Sequence, residues 1–167
     1  MSGDWNRNKL SGNVGECIIR YLINSMDDWQ CVKFGVEDTV KGLKEILNNS
    51  SDKIFLKIRR MPDFIAFNEK TKQILIIEVK YRSGKYFFKY LENYNEYWEG
   101  TKLILVRPSE PYFVYINLED IDFSMRNMNN SNPYWNFEKI EKDIRELFPE
   151  LKEEDIQEAI KMIPNKE

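Results

Sequence analysis

The feature that most constrains the fold is the stretch 59–82, in which two apolar runs flank a short polar turn. Residues 64–67 are apolar and partly aromatic, and residues 73–81 are β-branched and almost wholly apolar, as is typical of β-strands. Residues 68–72 are polar and turn-prone. Because the gap between the two runs is short, the stretch predicts an antiparallel hairpin whose second strand is buried on both faces.

The register of this hairpin determines where its charges lie. If residues 69–72 form the loop, Asn68 lies opposite Gln73, and the same register places Asp63 opposite Glu78. Directly opposed residues have Cβ atoms about 4.5–5.5 Å apart, and Lys80 shares the face of Glu78 because side chains alternate along a strand. Two adjacent carboxylates need a neutralising charge, and hard divalent cations prefer carboxylate oxygens. The hairpin therefore predicts a candidate cation site.

Pro62-Asp63 followed by Glu78-Val79-Lys80 resembles the PD-(D/E)xK motif of the restriction-endonuclease-like nucleases. In size and layout the chain is most similar to the archaeal Holliday-junction resolvases, over roughly residues 9–107. The resemblance implies an α/β fold with a central mixed β-sheet flanked by helices. It also implies Mg²⁺, for which Mn²⁺ would substitute, held by Asp63, Glu78 and the main-chain carbonyl of Val79. Lys80 would then orient the attacking water or stabilise developing negative charge.

A helix is predicted for residues 10–26, with an apolar face that includes Cys17, Ile18 and Leu22. Glu16 lies on roughly the opposite face, together with Ile19 and other small or apolar residues. In the resembled nucleases a Glu of the first helix often completes the metal site, and Glu16 is the matching residue. The alternative is that Glu16 is an ordinary surface side chain.

The absence of histidine restricts the chemistry that the chain can perform. With no His, the chain has neither Ser-His nucleophile systems nor His-ligated zinc sites. Cys17 and Cys31 do not have a metal-binding spacing. Carboxylates, lysines and tyrosines remain. The structural alternative for Asp63, Glu78 and Lys80 is an ion pair at the end of a strand, although a Pro-Asp at hairpin distance makes the catalytic interpretation more specific.

Charge is distributed unevenly along the chain, whose formal net charge is -3. Residues 53–107 carry 12 Lys and Arg against 6 Asp and Glu, whereas residues 138–167 carry 6 against 10. A basic face around the motif would bind phosphates, and five residues near the motif are predicted to contact DNA: Arg59, Arg60, Arg82, Lys85 and Lys89. The alternatives are that these side chains decorate solvated faces, or that Arg59 and Arg60 form a polar strand end.

The rest of the chain is predicted to contain strands at 29–36, 53–59, 102–106 and 112–117 and helices at 38–47, 84–99, 134–148 and 152–163. A strand-helix-strand unit over 73–106 predicts a parallel strand pair. Three segments follow: a nuclease-like core at 1–124, an Asn-rich loop at 125–133, and a C-terminal helical extension at 134–167 that packs on the core.

The resemblance thus implies a magnesium-dependent DNA endonuclease, structure-selective in the manner of a junction resolvase, that acts on branched DNA as a homodimer. The alternatives are a restriction or repair nuclease with another DNA or RNA target, and a non-catalytic binding or assembly module. No apolar run reaches the roughly 18 residues of a membrane span and no signal peptide is recognised, so a cytoplasmic location is expected. The acidic C-terminal helices are a possible binding surface for another protein.

Overall fold

The computed structural model describes residues 3–34, 52–82, 86–87, 96–122, 127–129, 132–137 and 139–164. Within these ranges the chain forms a mixed β-sheet flanked by helices. The predicted α/β class with a central mixed sheet is therefore confirmed. Membership of a particular nuclease superfamily stays a prediction.

Helices of very different lengths accompany the sheet. Four α-helices and one 3₁₀ helix lie in the described ranges: α1 Gly3–Asn24, α2 Lys53–Arg59, the 3₁₀ helix Leu118–Asp120, α3 Ile144–Leu147 and α4 Glu153–Lys161. The predicted first and last helices are confirmed, although α1 begins earlier than expected. In the part of the chain that is described, none of the helices combines the length and the apolar character needed to cross a bilayer.

Nine strands are present in the described residues: β1 Trp29–Lys33, β2 Phe64–Asn68, β3 Ile74–Tyr81, β4 Tyr86–Phe87, β5 Lys102–Val106, β6 Phe113–Asn117, β7 Asn127–Asn129, β8 Asn132–Asn136 and β9 Lys142–Asp143. Six of them form the main sheet in the order β1-β2-β3-β5-β6-β9, and three form a small sheet in the order β4-β8-β7. In the main sheet β3 and β5 are parallel, as predicted, and the other neighbours are antiparallel.

The β2–β3 hairpin has the predicted register. Phe64 is paired with Ile77 and Phe67 with Ile74, and the Asn68 N–H donates to the Gln73 carbonyl at 2.9 Å. The Asn68 side chain closes the turn, because its Oδ1 accepts the N–H groups of the second and third loop residues at 3.0 and 2.8 Å. An Asn whose side chain bonds the backbone just after it is a common device in turns, so local chemistry sets this register.

Helix α1 packs on one face of the main sheet. Its buried side chains include Ile18, Ile19, Leu22 and Ile23, which lie in one core with Leu75, Ile77 and Val79 of β3. The predicted apolar face is confirmed at Ile18 and Leu22, but the buried stripe is shifted: Ile19 and Ile23 are buried as well, and Cys17 is exposed. Both faces of this helix carry apolar residues, and only contact with the sheet selects between them. A second core on the opposite face of β5 and β6 contains Leu103, Leu105, Val114, Ile116, Leu118, Ile121 and Phe137.

The segment 53–59, predicted as a strand, is helix α2. Asp52 caps this helix, since its side chain accepts the Ile54 N–H at 2.8 Å. Ile54, which the alternating pattern assigned to a buried row, is 69% exposed, whereas Phe55, Ile58 and Arg59 are half-buried at the spacing of one helical face. A segment of seven residues is short enough to fit both the strand period and the helix period, and the Asp52 N-cap favours the helix.

Three other predictions on the C-terminal side are wrong. Strand β4 occupies residues 86–87 of the helix predicted at 84–99, of which residues 88–95 lie outside the described ranges. The predicted loop 125–133 contains β7 and the start of β8. The helix predicted at 134–148 is replaced by the rest of β8, by β9 and by the single turn α3. These strands are two to five residues long, and pairing with distant segments stabilises them. The helix predicted at 38–47 lies outside the described residues.

The last part of the chain packs on the core, although only its end is helical as predicted. Ile156 and Ala159 of α4 are buried in the same core as α1. Phe148, which follows α3, makes an edge-to-face contact with Trp29 at a ring-centroid distance of 5.0 Å. The division into a core, a loop and an extension stays a prediction.

Gly15 determines how closely α1 approaches β3. A Cβ at this position would lie 3.3 Å from the Cβ of Tyr81 and 3.5 Å from Cγ1 of Val79. We expect Gly15→Val to lower the free energy of unfolding by about 2 kcal/mol, because overpacking forces the helix away from the strand. Gly12→Val is the matched control in the same helix, since a Cβ there has no neighbour within 4 Å among the described residues. Equal urea-unfolding midpoints for the two variants would contradict this packing argument.

Candidate active site

The motif residues lie where the β1–β2–β3 ladder ends. Helix α2 leads through Met61 and Pro62 to Asp63, which directly precedes β2, and Glu78 and Lys80 lie in the second half of β3. The main chain of Asp63 is held by the end of β1, because the Phe34 N–H donates to the Asp63 carbonyl at 2.9 Å. Asp63 is therefore fixed on two sides by strands of the sheet.

The carboxylate of Asp63 extends the hydrogen bonding of the sheet beyond the last strand pair. Its Oδ2 accepts the Val79 N–H at 2.8 Å. The register of the hairpin continues past Phe64–Ile77 and places Asp63 opposite Glu78, and the Glu78 side chain is close enough to influence the pKa of Asp63. The two acids are thus neighbours, as the hairpin register predicts.

Lys80 supplies the positive charge next to these acids. Its Nζ pairs with Oε1 of Glu78, whose side chain is only 2% exposed. Burial lowers the pKa of the Lys80 ammonium, but the charges of Glu78 and then Asp63 outweigh burial, and the pKa is raised. Lys80 is therefore a cation at neutral pH, and it provides hydrogen-bond donors rather than a general base.

Burial disfavours the charged form of both Asp63 and Glu16. The pKa of Asp63 is raised chiefly by burial, against the opposing effects of Lys80 and the Val79 N–H. The pKa of Glu16 is raised by burial and then by the charge of Asp63, while Lys33 and Lys80 lower it. Carboxylates held in this way gain most from a further positive charge.

Glu16 is close enough to Asp63 to be influenced by its charge. Glu16 pairs with Lys33, a residue that the sequence analysis did not assign to the site. Lys33, at the end of β1, contacts Oε2 of Glu16 through its Nζ at 3.5 Å. In sequence, Lys33 is in phase with Trp29 and Cys31, which are both buried. A lysine on the inward side of a strand is the signal that would have identified it.

The donors at this site fit a hard divalent cation. Asp63 and Glu78 offer carboxylate oxygens, and Mg²⁺ is usually bound through one or two carboxylates together with water and substrate phosphates. The N–H and C=O of a strand residue point to the same neighbour, so the Val79 carbonyl faces the side of β3 on which Asp63 lies. Over the residues that the structure covers, no group of three or more His, Cys, Asp or Glu is arranged to hold a metal. Glu16 therefore does not form a ligand group with the two acids in this structure, and its role as a ligand stays a prediction.

Two of the five basic residues predicted to contact DNA lie in a different element from the one that the sequence predicts. Arg59 and Arg60 are at the end of helix α2, not at a strand end, because 53–59 is helical. The Arg60 guanidinium lies 5.2 Å from the ring centroid of Tyr97. Arg82 directly follows β3 and is exposed. Lys85 and Lys89 lie outside the described residues, and DNA contact by any of the five stays a prediction.

The cysteines do not offer a competing nucleophile at this site. Burial raises the pKa of the Cys31 thiol to about 12, which keeps it protonated and unreactive at neutral pH. Cys17 is exposed on α1, and neither cysteine forms a disulfide.

No protein-family model matches the sequence, and the search of curated proteins finds no match. Among solved structures, the fold is similar to "1.6A resolution structure of Archaeoglobus fulgidus Hjc, a Holliday junction resolvase from an archaeal hyperthermophile", with a TM-score of 0.43 and 11% sequence identity over 84% of this chain and 97% of that chain. At this identity and TM-score the likeness concerns overall shape. The functional assignment of this chain therefore depends on its own side chains.

Proposed function

We propose that this protein is a magnesium-dependent DNA endonuclease that hydrolyses phosphodiester bonds. One observation carries the proposal: Asp63 and Glu78, distant in sequence, lie side by side at a strand end, with the Lys80 ammonium beside them. Two acids and an amine in this order and geometry match the PD-(D/E)xK pattern. A structural ion pair would need only Glu78 and Lys80, and Asp63 would add repulsion to it.

The residues of the chain divide the chemical task among them. Asp63, Glu78 and the Val79 carbonyl would hold the cation, and the resemblance implies Glu16 as a further ligand. When bound there, Mg²⁺ or Mn²⁺ would neutralise charge on the scissile phosphate and lower the pKa of the attacking water. Lys80 donates hydrogen bonds that orient this water or stabilise the negative charge that develops on the phosphate. Val79, by donating its N–H to Asp63, keeps that carboxylate in a single orientation.

The proposed substrate is branched DNA, bound by a homodimer that carries one active site for each strand. The basic excess of residues 53–107 supports a nucleic-acid partner. The motif resembles that of junction resolvases, and the chain has a similarly compact size. Both features favour branched over linear DNA. The acidic C-terminal segment, including α4, is the proposed surface for a protein partner.

A cleavage assay tests this proposal. Labelled four-way junction, linear duplex and single-stranded DNA, and a hairpin RNA, are incubated with the protein in Mg²⁺, Mn²⁺ or EDTA. We expect the junction alone to be cut, with either cation and not in EDTA. Cleavage of linear duplex or RNA would support the nuclease activity but assign it a different substrate. The absence of cleavage of every substrate with either cation would reject the proposed nuclease activity.

The second candidate is a non-catalytic binding or assembly module on the same fold. One observation favours it: the Lys80 ammonium and the Glu78 carboxylate form an ion pair with each other. Such a module would bind junction DNA equally well in Mg²⁺ and EDTA and would leave it intact. The same assay, read as a gel shift, separates this module from the enzyme.

A further inference from the structure

The row of the sheet that holds the two acids also holds an aromatic side chain. Phe34 lies opposite Asp63, since the β1–β2 register continues one residue past the last strand pair and the Phe34 N–H donates to the Asp63 carbonyl at 2.9 Å. The β2–β3 register places Glu78 opposite Asp63 on its other side. Directly opposed residues of neighbouring strands have their side chains on the same face of the sheet. Phe34 therefore borders the acidic site on the β1 side.

Trp98 anchors the segment before β5 to this row. Its ring makes an edge-to-face contact with Phe34 at a centroid distance of 5.0 Å. Its Nε1 donates to the Lys57 carbonyl of α2 at 3.3 Å, and its carbonyl accepts the N–H of Thr101, directly before β5, at 3.3 Å. The ends of β1 and β5 and helix α2 thus fix Trp98 from three sides. The preceding residue, Tyr97, is thereby held next to the C-terminal end of α2.

The side chains of Arg60 and Tyr97 form a pair in this position. The Arg60 guanidinium lies over the Tyr97 ring, with its Cζ 5.2 Å from the ring centroid. Arg60 is the C-terminal cap of α2 and precedes Asp63 by three residues. Both members of the pair are half-buried. An aromatic ring restrains the plane of a guanidinium and shields one of its faces from water, so the Arg60–Tyr97 pair offers a flat cationic group near the acids.

A flat cation with an aromatic ring behind it suits a nucleobase. Bases stack on aromatic rings and on guanidinium planes, and this interaction uses the face that Tyr97 orients. Phosphate recognition uses the edge of the guanidinium and needs no aromatic neighbour. A base within a continuous duplex is stacked on both sides and has no free face, whereas an unpaired base at a branch point has one. Contact with a base face therefore distinguishes branched from continuous DNA.

We propose that the Arg60–Tyr97 pair binds an unpaired nucleobase next to the phosphodiester bond that the Asp63–Glu78 site would cleave. This inference rests on the proposed function for its substrate, DNA, and adds the feature of the substrate that is recognised. It assigns Arg60 to a base face, whereas a basic face around the motif would by itself bind only phosphates.

Three DNA molecules test the proposal by fluorescence anisotropy in Ca²⁺: a four-way junction with one unpaired thymidine at its branch point, the same junction with an abasic residue instead, and a continuous duplex of equal length. We expect wild type to bind the thymidine junction about tenfold more tightly than the abasic one, a factor within the range for one stacked base. Tyr97→Leu and Arg60→Lys should bind the two junctions equally and the duplex as wild type does, because Lys has no plane to stack. Both changes preserve the net charge, so the salt dependence of binding stays the same.

Two further variants separate stacking from a structural role. Tyr97→Phe keeps the ring and should retain the tenfold preference. Lys57→Met is the matched control, because the Lys57 ammonium lies 5.1 Å from the centroid of Trp98, a cation–ring contact of similar distance in the same part of the fold. It should also retain the preference.

The outcomes distinguish this inference from the proposed function. Tyr97→Leu and Arg60→Lys proteins that keep the tenfold preference, or that lose affinity equally for all three DNA molecules, overturn the base contact. A wild type that binds the two junctions alike but cleaves them in Mg²⁺ also overturns it and leaves the nuclease standing. A wild type that prefers the thymidine junction and cleaves nothing overturns the nuclease and leaves the base contact.

Discussion

Asp63→Asn is expected to lower the rate of junction cleavage at least about a thousandfold and to leave DNA binding nearly intact. The amide removes a negatively charged oxygen that the cation needs, and a stabilising charge interaction lost at the reaction centre costs two to three orders of magnitude or more in rate. Asn retains an oxygen that can accept the Val79 N–H, so the hydrogen bond of 2.8 Å has a replacement. Single-turnover cleavage and a gel shift in Ca²⁺ measure the two quantities.

The stability of the same variant separates a catalytic from a structural acid. The pKa of Asp63 is raised by burial from its usual 3.8, so the unfolded chain loses this proton at lower pH than the folded protein. Folding stability that is present below pH 3.8 is therefore lost as pH rises towards the folded pKa. We expect Asp63→Asn to be at least as stable as wild type at pH 7 in EDTA. A large loss of stability, with cleavage retained, would make Asp63 a structural residue.

Lys80→Met is expected to have the largest effect on stability. The change removes the ammonium from the Glu78 carboxylate, which is 2% exposed. Breaking a buried ion pair from one side costs about 3–5 kcal/mol, and because Lys80 is only half-buried we expect about 3 kcal/mol, the lower end of that range. Urea unfolding in EDTA measures the free energy of unfolding, and cleavage is lost in the same variant.

Two comparisons test whether the unpaired charge of Glu78 causes the expected loss of stability. Glu78→Gln combined with Lys80→Met should recover most of the lost stability, because the buried charge is removed together with its partner. Saturating Mn²⁺ should also stabilise Lys80→Met more than it stabilises the Lys80→Met/Glu78→Gln protein, since a ligand that binds only the folded state adds its binding free energy. A double variant as unstable as Lys80→Met would mean that lost packing, not charge, is responsible.

The sequence predicts the parts of this protein that local interactions control. The hairpin register follows from a short polar turn between two apolar runs, and Asn68 closes the turn with its own side chain. The relation between Asp63 and Glu78 follows from that register by counting residues along two strands. The parallel β3–β5 pair follows from a predicted strand-helix-strand unit. Helix α4 follows from apolar residues at helical spacing.

Other elements depend on distant contacts and are not readable from periodicity. The pattern of residues 53–59 fits a strand and a helix equally well, and the Asp52 cap favours the helix. The short strands β4, β7 and β8 exist because they pair with one another. The buried face of α1 is selected by the sheet beneath it.

The sequence by itself thus determined the hairpin and the order of its acids, because turn chemistry and side-chain alternation act over a few residues. Only the tertiary structure decided that α1 and β1 bring Glu16 and Lys33 to the same place. The physical reason is that electrostatic contact between side chains depends on how helices and strands pack. Nothing in the spacing of residues 16, 33 and 63 along the chain records that packing.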